Sequence, residues 1–346
     1  MIKQVVNAPE YRPGGWTVAE AEVLARSVLR APSVHNTQPW LVEPLEGTVL
    51  LRERLDVALP HHDPDRRDLA ISCGTALAHL ELAVRVLGRR AVVTVLPDPA
   101  RPGVVARIDT PVSLPPSDED LHRYGAIMVR RSHRGRFTGL PVRAAQLRRV
   151  TQAAATDGVR VRRLHGTDDL APLLERAART VQHHGGYQRE LALWMIRDHS
   201  AHRHGVGIGF PALPPGQLPW AGLVRRATVL PELRVLRKRL RAETVLVFST
   251  AGDTRLDHIR AGYALEHAWL EAVTIGLSGA VLTQPMHVPE VRAALSENFR
   301  IGGYPQVLLR LGRTIGGAPP SLRRGLAEVL ITRGGCRDAR DGDHRL

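Results

Sequence analysis

The sequence predicts an α+β fold of two related halves, residues 1–115 and 116–346. A long apolar helix that runs into a glycine and then a strand occurs twice, at Leu69 to Leu96 and at Leu256 to Leu282. Between them, from about Pro97 to Asp120, the composition shifts to Pro, Asp and Ser, as a connection requires. With 346 residues, 43% of them hydrophobic, the chain is long enough to bury a substantial core. Two related halves meet as the subunits of a homodimer do, giving an internal pseudo-dimer; plain alternation in an α/β protein produces a similar pattern.

The first half begins with Thr17-Val18-Ala19-Glu20, the spacing of a capping box, in which two side chains satisfy free amides at a helix start. Val23, Leu24, Val28 and Leu29 continue an apolar helical face, and Pro32 stops it. Trp40 to Pro44 and Val49 to Leu55 read as strands joined at Glu46-Gly47. Leu69, Cys73, Leu77, Leu80, Val84 and Leu87 recur at helical spacing up to Gly88, and Ala91 to Leu96 is the next strand.

In the second half, Leu147 and Val150 belong to a helix, Val159 to Leu164 to a strand, and Ala171 to Val181 and Arg189 to Ile196 to further helices. Thr244 to Ser249 is rich in β-branched residues and reads as a strand. Leu256 to Ile275 is a long helix ending at Gly276, followed by strands at Ala280 to Thr283 and Gln306 to Leu311. The segment Asp198 to Trp220, crowded with His, Gly and Pro, fits neither period and is either a lid or a rigid surface excursion.

The net charge of +14 comes almost wholly from Arg spread along the chain. With 4% aromatics there are few stacking platforms for bases, so nucleic-acid binding is the weakest reading, and small phosphate-containing molecules suit the charge as well. Two cysteines, Cys73 and Cys336, form no disulfide or zinc framework. No signal-peptide-like or membrane-spanning stretch is apparent, so a cytoplasmic location without membrane contact is expected. The pairs His61-His62, His183-His184 and His202-x-His204 lack a clear third ligand, and no metal site is expected.

Two polar clusters suit a ligand. Ser33, Asn36, Thr37 and Gln38 set donors and acceptors beside the turn at Pro39, as structural turn residues or as contacts to a heteroaromatic edge. Arg130, Arg131, Ser132, Arg134 and Arg136 combine guanidinium groups with a hydroxyl, the chemistry that grips phosphate.

The segment Ser33-Val34-His35-Asn36-Thr37-Gln38-Pro39-Trp40, preceded by Ala31-Pro32, resembles the flavin-contacting segment of the nitroreductase family, especially its Acg-like FMN-binding branch. The resemblance continues through Asp63-Pro64-Asp65-Arg66, Cys73 to Leu80, Arg130-Arg131-Ser132-His133-Arg134 and Gly302 to Gln306, covering approximately residues 17–332. It implies FMN as cofactor, with Ser33 and Asn36 as leading contacts, His35 and Gln38 beside them, and Trp40 packing behind. It also implies phosphate contacts from Arg130 or Arg131, Ser132 and Arg134, from the later pair Arg323-Arg324, and ring contacts around Gly279 to Gln284. Gly135-Arg136 departs from the family pattern by separating Arg134 from Phe137.

The two signatures lie in different halves, which implies one composite FMN site per chain. The implied activity passes reducing equivalents from NADH or NADPH through FMN to a nitroaromatic or quinone-like acceptor, with no dedicated catalytic side chain assigned. The rival is an FMN-sequestering or storage protein whose cover, Asp198 to Trp220, keeps nicotinamide out. The expected form is a monomer with an internal pseudo-dimer, or a higher oligomer.

Overall fold

The fold is taken from a computed structural model, which describes residues 15–196, 205–209 and 223–332. Helix α1 (Val18–Leu29) starts at the expected Thr17–Glu20 capping box. Strands β1 (Trp40–Leu45) and β2 (Thr48–Glu53) turn at Gly47, whose φ of 65° suits glycine. Helix α2 (Arg67–Val86) is followed by β3 (Val92–Val95) and β4 (Val104–Asp109), and α3 (Asp118–Val129) bridges to the second half. The expected connection from Pro97 to Asp120 therefore contains a strand and the beginning of a helix. Ser117 opens α3 by a capping box with Asp120, so the acidic cluster there is a helix N-terminus.

The second half runs α4 (Ala144–Ala153), β5 (Val159–Arg163), α5 (Leu170–His183), α6 (Gly185–Trp194), β6 (Met195–Ile196), β7 (Ile208–Gly209) and α7 (Leu233–Arg241). It continues with β8 (Thr244–Thr250), α8 (Arg255–Thr274), β9 (Ser278–Leu282), α9 (Pro289–Asn298) and β10 (Tyr304–Gly312). The first sheet has the order β1-β2-β4-β3 and the second β5-β8-β10-β9. With β5, β8, β9 and β10 matched to β1, β2, β3 and β4, these are the same order. The central helix of each half, α2 or α8, follows the second strand of its set. The elements α5 to α7 are an insertion between β5 and β8, where the first half has only a tight turn. The chain is thus an α+β pseudo-dimer.

The seam between halves is the crossing of α2 and α8. Gly74 and Gly262 occupy the same position, the eighth residue, of their helices. A methyl on Gly74 would lie 2.1 Å from the Ile259 carbonyl oxygen, and one on Gly262 2.0 Å from that of Ile71. The two backbones touch, and only glycine permits it. Helix α2 is long and apolar enough to cross a membrane by composition, but 89% of that window is buried inside the protein, where it serves as a core helix. Near its end the chain returns to the first sheet, Val42 N–H donating to Val329 O and Ile331 N–H to Val42 O.

Gly74→Ala is expected to cost about 3 kcal/mol or more, because the clash is with backbone that cannot rotate away. Gly125→Ala, in α3 with nothing within 4 Å of the added methyl, is expected to be neutral or to gain up to about 1 kcal/mol. Urea unfolding midpoints of the two variants measure the contrast.

Candidate functional site

A cavity of about 770 Å³, mouth included, opens where the two halves meet. The turn at residues 32–35 and the α2 residues Asp68, Ile71, Ser72 and Thr75 form one side. Ser132, Arg134, Leu265, Trp269 and the β9 end from Ala280 to Gln284 form the other. Ile208 and Leu223, both buried, close it from the inserted region.

The first-half turn is held in an unusual shape. His35, Asn36 and Gln38 have φ of 46°, 57° and 51°, left-handed values that side chains with a Cβ adopt at a cost. Its anchors are Val34 N–H to Ser72 Oγ at 3.1 Å, Thr75 Oγ1 to Pro32 O at 2.7 Å and Gln38 N–H to Ser33 Oγ at 3.0 Å. The second-half segment is laid along the edge of β9: Ser132 bridges Gly279, and His133 N–H donates to Gly279 O at 2.8 Å. The Trp269 ring leaves no room for a side chain at Gly279, where a methyl would meet its indole nitrogen at 2.6 Å.

Of the twelve residues expected from the sequence, Ser33, His35, Ser132, Arg134 and Gln284 line the cavity. Gln284 also fixes itself by donating to Ala177 O at 2.9 Å. Asn36 and Gln38 are used elsewhere. Asn36 Nδ2 donates to Gly207 O and Leu322 O at 2.9 and 3.0 Å, and its Oδ1 accepts from Arg323 at 2.9 Å. Gln38 Nε2 donates to Gly205 O at 2.7 Å while its Oε1 accepts from Arg324 N–H at 3.0 Å. Asn36, Gln38, Arg323 and Arg324 together fasten residues 205–207 and 322–324 to the turn. The expected cover, Asp198 to Trp220, is described only over residues 205–209, and there Ile208 does line the cavity. The rest of it, with His202 and His204, lies outside the described residues.

Arg130 and Arg131, the alternatives for a phosphate contact, also stand outside the lining. Arg130 is buried with its guanidinium 3.0 Å from Glu266 Oε1, donates to Arg30 O at 2.8 Å and lies 4.5 Å over the Trp269 ring. Arg131 donates to Arg130 O at 2.7 Å and faces a separate surface groove with Met128 and Val129. Arg134 differs from both: its guanidinium has no hydrogen-bond or carboxylate partner among the described residues. Burial, then the charge of Arg130, pushes it down to about 10, so it remains cationic at neutral pH. Burial and the charges of Arg130, Arg30 and Arg131 likewise hold Arg323 down to about 9. This corner collects positive charge without enough carboxylates to balance it.

Among the described residues, two further buried polar atoms of the cavity lining have no hydrogen-bond partner, His35 Nε2 and Trp269 Nε1. Burial, then the charge of His62, keeps His35 well below the usual imidazole range and hence neutral at pH 7. An elongated ligand with polar ring atoms at one end and an anionic group at the other fits this donor set, and FMN is such a ligand. Sequence reasoning missed Trp269, His62 and Asp68. His62 was seen only as one of a histidine pair, and its partners Asp68 and His287 join it only in the fold.

The pseudo-symmetric cleft is filled. Thr75 and Trp269 face the cavity, and the same helical positions on the opposite helices hold Tyr263 and Glu81. The Tyr263 hydroxyl donates to Glu81 Oε2, and His267 and Arg85 approach the same carboxylate.

No family model matches the chain. A Mycobacterium tuberculosis protein provisionally named NAD(P)H nitroreductase is 34% identical over 327 residues, covering 92% of each chain. A second from the same organism, provisionally named NAD(P)H nitroreductase acg, is 29% identical over 341 residues, covering 92% of this chain and 98% of the relative. Among solved structures, a variant of the FMN and NADPH-dependent nitroreductase NfnB from a Sphigopyxis strain is similar at 20% identity. It has a TM-score of 0.41, over 61% of this chain and 99% of that one.

Burial raises the Glu81 carboxyl, but His267, Arg85 and Tyr263 outweigh it and bring it from 4.5 to about 2. A lowered folded-state pKa stabilises the fold in full above the unfolded value, here by about 3 kcal/mol, and the contribution fades as pH falls through the folded value. Glu81→Gln is therefore expected to be less stable than the parent at pH 7, with the gap closing between pH 4.5 and about 2 in urea titrations.

Proposed function

Because the chain belongs to the nitroreductase superfamily, as 34% identity across 92% of its length establishes, we propose that it is an FMN-dependent NAD(P)H oxidoreductase. We place it near the acg relative, with a nitroaromatic or quinone-like compound as its acceptor. Arg134 is the observation that carries this reading: a guanidinium with no partner among the described residues, at the wall of a cavity shared by both halves. When bound there, FMN supplies the redox chemistry, accepting hydride and passing electrons on. Arg134 and the Ser132 hydroxyl are the groups that hold its phosphate, and Ser33, His35 and Trp269 present polar atoms to its ring. Ile71 and Leu265 offer apolar surface to the ring faces.

A second reading has its own observation. Ile208 and Leu223 close the cavity, and Asn36 and Gln38 pin the first of these segments through Gly207 and Gly205. A cover so fastened suits an FMN-sequestering or storage protein. Anaerobic mixing of the FMN-loaded protein with NADH or NADPH separates the two. Rapid bleaching of the flavin absorbance supports the oxidoreductase, whereas a band untouched by either nucleotide but bleached by dithionite supports storage. Failure of the purified chain to bind FMN overturns both.

Arg134→Ala removes a charge-assisted contact and is expected to weaken FMN binding roughly 10- to 100-fold, read by fluorescence quenching of the free flavin. Asn36→Ala cuts the ties to Gly207, Leu322 and Arg323. It is expected to speed flavin release into a dilution buffer by roughly tenfold, with a smaller change in association.

A further inference from the structure

We propose that His62, Asp68 and His287 bind a first-row divalent metal ion, Zn²⁺ in class, in the wall of the cavity. His62 stands in the loop before α2, Asp68 is the second residue of α2, and His287 ends the short turn after β9. The first two come from one half and the third from the other. Asp68 Oδ2 is 3.1 Å from His62 Nε2 and 3.0 Å from His287 Nε2, and the three ligand atoms lie within 4.8 Å of one another. Ligand atoms about 2.1 Å from a shared metal are spaced by roughly 3.0–3.4 Å along the edges of an octahedron or tetrahedron, so the two contacts to Asp68 already have that spacing.

Spacing alone also suits hydrogen bonds. His62 does make one to Asp68. His287 Nε2, also buried, sits 3.0 Å from the same carboxylate oxygen, but the contact is not aligned as a hydrogen bond, and no other partner for it is found among the described residues. An ion addressed by both groups uses this nitrogen and Asp68 Oδ2 as neighbouring ligands. A second unmatched atom lies on the same loop, Asp63 Oδ1, in a carboxylate only 1% exposed. Two buried carboxylates close in sequence call for positive charge. Arg67 supplies part of it by donating to Asp68 Oδ1 at 3.2 Å and is otherwise drawn off to Gln306, which leaves Oδ2 turned to the histidines.

The ligands are braced from behind. The backbone N–H groups of His61 and His62 both donate to the Glu190 carboxylate at 2.9 Å, and the Thr283 hydroxyl donates to Asp68 Oδ2. Outer contacts of this kind fix ligand orientation in metal centres. Two imidazoles and a carboxylate select a borderline transition ion over Mg²⁺ or Ca²⁺, which prefer all-oxygen shells. Three protein ligands leave coordination positions open, and His62 and Asp68 both line the cavity. An ion there presents a Lewis acid to an oxygen atom of a cavity ligand. The proposal does not depend on the flavin reading.

Its test uses the full chain, stripped with EDTA and titrated with Zn²⁺ by calorimetry and with Co²⁺ by visible absorbance. The expected result is about one equivalent per chain, with Co²⁺ bands of a nitrogen and oxygen shell and a Tm raised by Zn²⁺. His287→Ala and His62→Ala are each expected to lose affinity by at least roughly tenfold and to lose the Tm shift. His287→Gln serves as the milder variant if alanine impairs folding, and circular dichroism of the metal-free proteins checks that each is folded. No stoichiometric binding to the parent overturns the proposal. So does binding that is unchanged in the folded histidine variants, which would place the ion at another histidine group.

Discussion

At Gly74 and Gly262 two helix backbones come into contact, each where the other would collide with a Cβ. This contact sets how closely the halves approach, and the cavity depends on it. Its walls are α2 on one side and α8 with the end of β9 on the other, so its width is the separation of those helices plus the side chains between them. The same seam buries His79 against Glu266 at 2.7 Å, with Arg130 as the third member of the group. Arg130 is therefore part of the seam, and Arg134, four residues later, is released from it to face the cavity.

The pseudo-symmetry of the two sheets is close, but the two clefts it generates have diverged. One keeps Thr75 and Trp269 and stays open; in the other, Tyr263 and Glu81 meet and fill the space. A symmetric homodimer cannot do this, since every substitution appears in both of its sites. Fusion of the halves removes that restriction. One side then keeps a cavity and the other is packed.

Much of the fold was legible because the core elements carry strong periodicity. Leu69 to Leu87 and Leu256 to Ile275 are long, apolar and bounded by glycine, and both became central helices. Elements with weak patterns were missed for identifiable reasons. In β4, Val104 to Asp109 is short and flanked by proline and glycine, so it reads as a loop. In α7, Leu236 and Leu240 are the only buried positions among basic residues, and α9 begins at Pro289, which looks like a breaker. At the site, both segments singled out in the sequence reach one cavity, but the sequence could not assign direction within them. Arg130 and Arg134 are alike on paper, and only the position of Glu266 on α8 decides which is paired. Asn36 and Gln38 lie in the expected turn, yet their own left-handed backbone aims them at the inserted region.

The glycine seam also bears on how a molecule gets in and out. Hinge opening between the halves requires separating two helix backbones in direct contact, so the gap between α2 and α8 is a poor doorway. The cheaper route is past Ile208, where residues 205–207 are held by the amides of Asn36 and Gln38. Residence time in the cavity then depends on a few hydrogen bonds at its rim as well as on the contacts of its interior. Retention and recognition are set by different residues and are free to be tuned apart.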